Sequence, residues 1–192
     1  MCPAQGLFDG GQAALAGGVV YYPDFIGLEE ADKLFEALLK LKWEQQSFNT
    51  PRKYAWMGIP PAPSYLPRKI VVTEWTHEAT RVESLVEEKT GCSFDSLSLN
   101  LYRDNRDSID WHFDGEHEGL WTFPIASVSL GALRRFKWKS KKSGLTTTQQ
   151  LAHGSLLVMP PGFQSDYLHA VLKQQKECGM RINLTFRRRT TQ

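Results

Sequence analysis

The cleanest pattern in the chain is a period of two near its end, where Arg181, Asn183, Thr185 and Arg187 alternate with Ile182, Leu184 and Phe186. Strand side chains point to opposite faces in turn, so this segment predicts a strand seated on an apolar layer by one face. Its polar row looks either to solvent, as in many half-buried antiparallel strands, or toward something wet or charged. Shorter strand-like runs recur at about 97–103, 125–130, 133–139, 145–151, 154–159 and 168–172, with one more at 19–25.

Two stretches change period. Residues 29–43 put Leu34, Leu38 and Leu41 with Phe35 on one stripe, acids early and lysines late, as a helix dipole favours. Residues 78–90 put Ala79, Val82 and Leu85 inward and stop at Gly91. Two helices followed by many short strands predict an α+β, mainly β fold: a β-sandwich or open barrel buttressed on one side. Residues 1–18, with paired glycines and little periodicity, read as a flexible N-terminal arm, and residues 19–192 as one domain.

Between the helices, residues 47–68 are rich in Pro, Gly, Ser and aromatics and include Arg52, Tyr54, Trp56, Met57 and Tyr65. A loop this long is functional or disordered. Each ring either tucks over the core or stacks on a ligand, and a stacked base is worth ~1–3 kcal/mol. The 134–142 stretch carries Arg134, Arg135, Lys137, Lys139, Lys141 and Lys142 around Phe136 and Trp138. It fits an edge strand guarded by lysines or a phosphate track.

Composition narrows the class without naming a function. At 41% hydrophobic and 23% charged residues the chain is globular, and a net charge of +2 leaves any polyanion surface to local clustering. Cys2, Cys92 and Cys178 are odd in number and widely spaced, which argues against a disulfide framework or a Cys-x-x-Cys metal site. No run approaches the ~20 apolar residues of a membrane span, so the expectation is a soluble intracellular protein, nuclear or cytoplasmic in a eukaryote.

The candidate chemistry lies at His112 and Asp114. On a strand their side chains share one face, close enough to clasp one ion, and His169 can supply a second nitrogen. Nitrogen and carboxylate donors without thiolate suit ferrous iron in a facial triad, and they also serve zinc. Asn100 and Tyr102, two apart on another strand, can both face a cavity and hydrogen-bond a carboxylate, although Tyr102 is equally a buried phenol satisfied by the backbone.

His112-x-Asp114, His169 and Arg181-x-Asn183-x-Thr185-x-Arg187 together resemble the AlkB family of iron(II)- and 2-oxoglutarate-dependent dioxygenases. The resemblance extends to Asn100-Leu101-Tyr102-Arg103, Asp107-Ser108, Trp111, Pro124 to Ser129, His153 to Leu157 and Pro51-Arg52-Lys53, and covers roughly residues 20–189. It is nearest to the animal-type homologues that repair alkylated nucleic acid. It implies a double-stranded β-helix, or jelly roll, with His112, Asp114 and His169 as ligands and catalytic centre for Fe(II), and with O2 and 2-oxoglutarate as co-substrates. Asn100, Tyr102, Arg181, Asn183, Thr185 and Arg187 would hold 2-oxoglutarate, with Arg181 on the distal carboxylate and Arg187 at the iron-chelating end. The two arginines tilt the metal toward iron.

By the same resemblance residues 47–68 form a nucleotide-recognition lid, with Arg52 a lid contact and Trp56 and Tyr65 candidate stacking residues. Glu116 matches an acidic residue of the base pocket, and Gly115 departs from the aspartate usual beside it. The implied reaction is oxidative demethylation of 1-methyladenine and 3-methylcytosine in DNA or RNA, releasing formaldehyde and succinate from a base taken out of its stack. Sparse Lys173 and Lys176, where duplex-directed relatives carry a basic cluster, lean the expectation to single strands, and a monomer is expected. The rival expectation keeps the chemistry and changes the substrate to a protein side chain or small molecule.

Overall fold

The computed structural model describes residues 14–45, 51–60, 71–114 and 122–189. Its first regular elements are strand β1 (Val20–Tyr22) and helix α1 (Leu28–Leu39), which buries Ala31, Leu34 and Leu38. The helix stops four residues before the sequence pattern does. Lys40 and Leu41 bond back to Ala37 and Leu38 in a tight turn, and Leu41 and Trp43 then pack on the core from outside the helix. Helix α2 (His77–Thr90) is bounded by its caps: Thr76 accepts from the Ala79 N–H, and Gly91 takes the left-handed conformation at φ 65° that ends it. Ala79, Val82 and Val86 form its inward face, with Leu85 at the margin of the core.

The strands make two sheets. The larger contains β1, β2 (Lys53–Gly58), β3 (Val72–Thr73), β4 (Ser96–Tyr102), β6 (Ile125–Gly131), β9 (Ser155–Met159) and β11 (Arg181–Arg187), in the order β1-β9-β6-β11-β4-β2-β3. The smaller contains β5 (Ile109–His112), β7 (Arg134–Ser140), β8 (Thr146–Leu151) and β10 (Tyr167–Val171), in the order β5-β10-β7-β8, with the short helix α3 (Phe163–Asp166) leading into β10.

Period two decides where each core lies. On β4 and β11, Leu97, Leu99, Leu101, Ile182, Leu184 and Phe186 face the two helices and make one apolar cluster with them. Tyr102, Ile125, Leu157 and Met159 of the larger sheet meet Phe136, Trp138, Leu151 and Val171 of the smaller in a second cluster between the sheets. Gly154, at φ 75°, makes the join to the helical layer: a side chain there would run into the Ile26 carbonyl, and the Ile26 N–H bonds Gly154 O at 2.9 Å.

Three expectations are corrected. Residues 53–58, read as loop, are a strand pairing with β4, because Ala55 and Met57 alternate into the helical core. The basic stretch 134–140 is not an edge: β7 lies between β10 and β8, and its alternation buries Arg134, Phe136 and Trp138 while Arg135 stays exposed. Cys92 is disulfide-bonded, since wide sequence spacing sets no limit on spatial approach, while Cys178 is free. Of the expected arm only residues 14–18 are described, ending in a 3-10 turn at Ala16–Gly18. Among the described residues no helix is long and apolar enough to cross a membrane.

One position on α2 carries a cost. Partial burial pushes the Glu83 carboxyl up to about 7, with Glu87 and Asp95 adding to it. An acid whose folded pKa is raised withdraws stability as pH climbs from its unfolded value near 4.5 toward 7, and the penalty then stays constant. Glu83→Gln should therefore leave Tm unchanged at pH 4 and raise it by roughly 2–4 °C at pH 8, on the order of 1 kcal/mol after solvent screening. Thermal melts at the two pH values check this, and an equal shift at both would point to a cause other than charge.

Candidate active site

The polar face of β11 is buried. Arg181, Asn183 and Thr185 are each under a tenth exposed, so the row looks into the space between the sheets. The register extends it sideways: Asn183 pairs with Asn100 and Ser129, and Thr185 with Ser98 and Ser127. Asn183 donates to Ser127 Oγ at 2.8 Å and the Val128 carbonyl at 3.2 Å, and Thr185 donates to Asn183 Oδ1 at 3.0 Å. The strand thus presents a fixed polar wall with an arginine at each end.

At the Arg187 end three predicted ligands converge. His112 and His169 are directly paired across β5 and β10, with ring centroids 4.2 Å apart. Beyond them the register slips: His169 to Val171 on β10 matches His112 to Ile109 on β5, so one extra residue bulges from β5. Asp114 follows β5 and brings Oδ1 to 3.6 Å from His112 Nε2 and 3.8 Å from His169 Nε2. One donor atom from each of the three lies within 4.8 Å of the others.

Each ligand is held from behind. His112 Nδ1–H donates to the Asp110 carbonyl at 2.7 Å, which leaves Nε2 with its lone pair toward the cluster. His169 is packed against Phe136 and Phe163, and its Nδ1 has no hydrogen-bond partner among the described residues. Burial, reinforced by His112, brings its pKa down to about 3, so it is a neutral donor at physiological pH. The Asp114 backbone N–H donates to buried Gln164 Oε1 at 2.9 Å, and its Oδ2 accepts from Arg187 Nη2 at 2.7 Å. Burial works to raise the Asp114 carboxyl, but Arg187, together with His112 and His169, outweighs it and holds the group well below the usual carboxylate range.

Two imidazole nitrogens and one carboxylate, with no thiolate, fit ferrous iron on one face of an octahedron and leave positions for other ligands. The opposite end of the wall fits an organic anion. Arg181 is 1% exposed and donates to Ser129 Oγ at 2.8 Å, yet its Nε and Nη1 find no partner among the described residues. Burial lowers its pKa to about 10, so it stays charged. Tyr102 lies under this guanidinium at 5.1 Å.

The remaining expectations fall unevenly. Asn100 faces the wall, but its Oδ1 accepts from Arg52 Nε at 2.8 Å, so Arg52 is tied to the wall rather than held in a separate loop. Trp56 lies on β2 opposite Ser98, donates to the Ile59 carbonyl at 3.0 Å and stacks under Arg189 at 5.6 Å. Tyr65 and Glu116 lie outside the described residues. Sequence reasoning missed Gln164 and Arg134 as supports. Gln164 carries no local signal, whereas the alternate Ser127 and Ser129 in an apolar strand were a visible sign of a polar wall.

Residues 18–187 match the 2OG-Fe(II) oxygenase superfamily. The alpha-ketoglutarate-dependent dioxygenase alkB homolog 3 of Rattus norvegicus is 36% identical over 197 residues, spanning 88% of this chain and 63% of its own length. The DNA oxidative demethylase ALKBH2 of Mus musculus is 34% identical over 188 residues, spanning 87% of this chain and 78% of its own. The chain thus covers slightly under two thirds of the first relative. Among solved structures, OsALKBH1 superposes with a TM-score of 0.73 at 16% identity, covering 92% of this chain and 99% of that one. A Pseudomonas putida prolyl-4-hydroxylase gives 0.57 at 15%, covering 91% and 95%. Likeness at such identity speaks for the fold alone, and the two facing sheets are the jelly roll expected from the sequence.

Arg187→Ala should cost about 3–5 kcal/mol in urea unfolding of the metal-free protein at pH 7, because it strands a buried carboxylate. The Asp114 pairing adds stability above the unfolded carboxyl pKa near 4 and loses it as pH falls below, so the deficit should shrink at pH 3. A pH-independent deficit would show that packing, not charge, is what Arg187 supplies.

Proposed function

Since the chain belongs to the AlkB family of the 2OG-Fe(II) oxygenase superfamily, we propose that it is an Fe(II)- and 2-oxoglutarate-dependent dioxygenase that oxidatively removes N-alkyl groups from nucleic-acid bases. The observation that carries this is the single buried wall with a His112-Asp114-His169 cluster at one end and a charged, incompletely partnered arginine at the other. Its substrates are 1-methyladenine and 3-methylcytosine in DNA or RNA. Sparse cations around Lys173 and Lys176 support a single-stranded substrate, and a monomer suffices, because every residue invoked comes from one chain.

When bound, iron supplies the dioxygen chemistry that couples decarboxylation of 2-oxoglutarate to hydroxylation of the N-methyl carbon. The balance is one 2-oxoglutarate, one O2 and one methylated base consumed, against succinate, carbon dioxide, formaldehyde and the unmodified base formed. His112, Asp114 and His169 hold the metal, with Asp110 fixing the His112 tautomer and Arg187 keeping Asp114 ionised and aimed. Arg181 takes the distal carboxylate of the co-substrate, supported by its Nε and Nη1, which have no partner among the described residues. Asn183, Thr185 and Tyr102 line the site between the two arginines.

Asn100 is a shared post. With Oδ1 turned to Arg52, its amide nitrogen is left to donate to the co-substrate. Residues 47–68 serve as the nucleotide-recognition lid, and Arg52, Trp56 and Tyr65 contact the extruded nucleotide while Glu116 accepts from its exocyclic amine. No protein nucleophile is needed, and the apolar packing of Phe136, Trp138 and Phe163 behind His169 keeps bulk water from its imidazole.

Formaldehyde and succinate should appear in equal amounts when the iron-loaded protein meets a 1-methyladenine oligonucleotide, and Asp114→Ala should cut both by at least about 100-fold. Undiminished turnover in that variant would refute the metal assignment. With matched single- and double-stranded oligonucleotides in competition, the single strand should be consumed first.

A further inference from the structure

The outer face of the smaller sheet carries a row of charge that the cavity between the sheets does not use. Because Arg134, Phe136 and Trp138 of β7 turn inward, Arg135, Lys137 and Lys139 turn outward, and Lys141 follows just beyond the strand. Successive members stand two residue rises apart, about 6.6 Å. Arg135, Lys137 and Lys139 pair with Gln150, Thr148 and Thr146 on β8, and the two lysines pair with Ala170 and Leu168 on β10, so neither neighbouring strand sets a carboxylate opposite them. At the margins, Asp110 accepts from the Trp111 N–H, and Asp166 meets the Lys141 N–H through its carbonyl. Among the described residues none of the four cations makes an ion pair.

Lysines on a strand commonly guard a sheet edge, and that reason is missing here. β7 is an interior strand, while β8, the edge beside it, is an uncharged run of threonine, glutamine and leucine. Four like charges on one face therefore repel one another without protecting anything. Two of them are also held in place. Lys139 Nζ lies 4.8 Å from the centre of the Trp111 ring and Lys141 Nζ 4.0 Å from that of Phe113, the residues on either side of His112. An ammonium seated on an aromatic face has given up part of its freedom before a partner arrives, which lowers the cost of binding one. Evenly spaced, pre-positioned charge of one sign is the complement of a polyanion backbone.

The row starts at the more open end of the cavity. The His112 side chain is 26% exposed, against 1% for Arg181 at the far end. Lys141 Nζ donates at 2.9 Å to the carbonyl of Gln164, whose side chain holds the Asp114 N–H. From there the charges lead away along β7 to Arg135, over about 20 Å. We propose that this face binds the single-stranded nucleic acid flanking the target base, with Lys141, Lys139, Lys137 and Arg135 on successive phosphates to one side of it. The inference rests on the proposed function above. Contacts of this kind read the length of the strand and not its sequence.

Fluorescence anisotropy of Mn(II)-loaded protein tests this with a 1-methyladenine trinucleotide and with the same trinucleotide extended by about six nucleotides on one side or the other. Wild type should bind the strand extended on the favoured side at least about tenfold more tightly than the trinucleotide. Lys137→Gln/Lys139→Gln should lose most of that gain, and its slope of log affinity against log salt should fall by about 1.4. Lys137→Arg/Lys139→Arg should keep both, and formaldehyde release from the trinucleotide by iron-loaded protein should be unchanged in either variant. Lys173→Gln/Lys176→Gln removes the same charge from exposed residues beyond β10 and should keep the gain. Wild type that neither binds nor demethylates the trinucleotide overturns the proposed function. Wild type that does both, yet gains nothing from an extension on either side, overturns the role of this face alone. An equal loss in Lys173→Gln/Lys176→Gln overturns it too, because net charge would then be the cause. Should Lys137→Gln/Lys139→Gln give no cooperative melt, the exposed Arg135 decides through Arg135→Gln: a slope lowered by about 0.7 supports the row, and an unchanged slope overturns it.

Discussion

The structure turns on a buried ion pair between Arg187 and Asp114. Burial at this depth pushes a carboxyl toward its neutral acid form, and a neutral acid is a poor metal ligand. The guanidinium prevents this, and its own position is set by β11, held on both sides by β4 and β6. One strand in the middle of the larger sheet therefore governs the electrostatics of a cluster whose histidines belong to the smaller one.

That division of labour explains the sandwich. The larger sheet takes its stability from the helices packed on its far side, through the leucines of β4 and β11, and so can present serine, asparagine, threonine and arginine on its inner face. The smaller sheet contributes rigid aromatics and the two imidazoles. Polar groups survive between the sheets because they satisfy one another along the wall, from Thr185 to Asn183 to Ser127, and the groups left over gather where ligands belong. Open donors at Arg181 and Arg134, without partners among the described residues, are a cost in stability.

Lid and wall are also less separate than a loop would allow. Residues 53–58 are a strand of the larger sheet, and Arg52 at its head reaches Asn100. Whatever settles on Arg52 and Trp56 is thus one side chain away from the co-substrate wall. The geometry ties Arg52 at the head of β2 to Asn100 on the neighbouring strand.

Much was legible in the chain. Period two over Arg181–Arg187 determined the strand and its two faces, and Gly91 the end of α2, because these are local consequences of backbone geometry; His112-x-Asp114 marked two residues of the cluster, but Asp114 lies past the end of β5 and not on a face of that strand. What the alternation could not reveal was which way the polar row looks. Solvent and a buried wall produce the same sequence pattern, and only the second sheet laid across β11 makes the difference. Arg134 is the sharpest case: within a run of six cations it reads as one more surface charge, yet β8 and β10 flank its strand and its side chain lies inside with no exposure at all. Burial is a property of what arrives from elsewhere in the chain, and so the charge that belongs to the core was decided by tertiary structure alone.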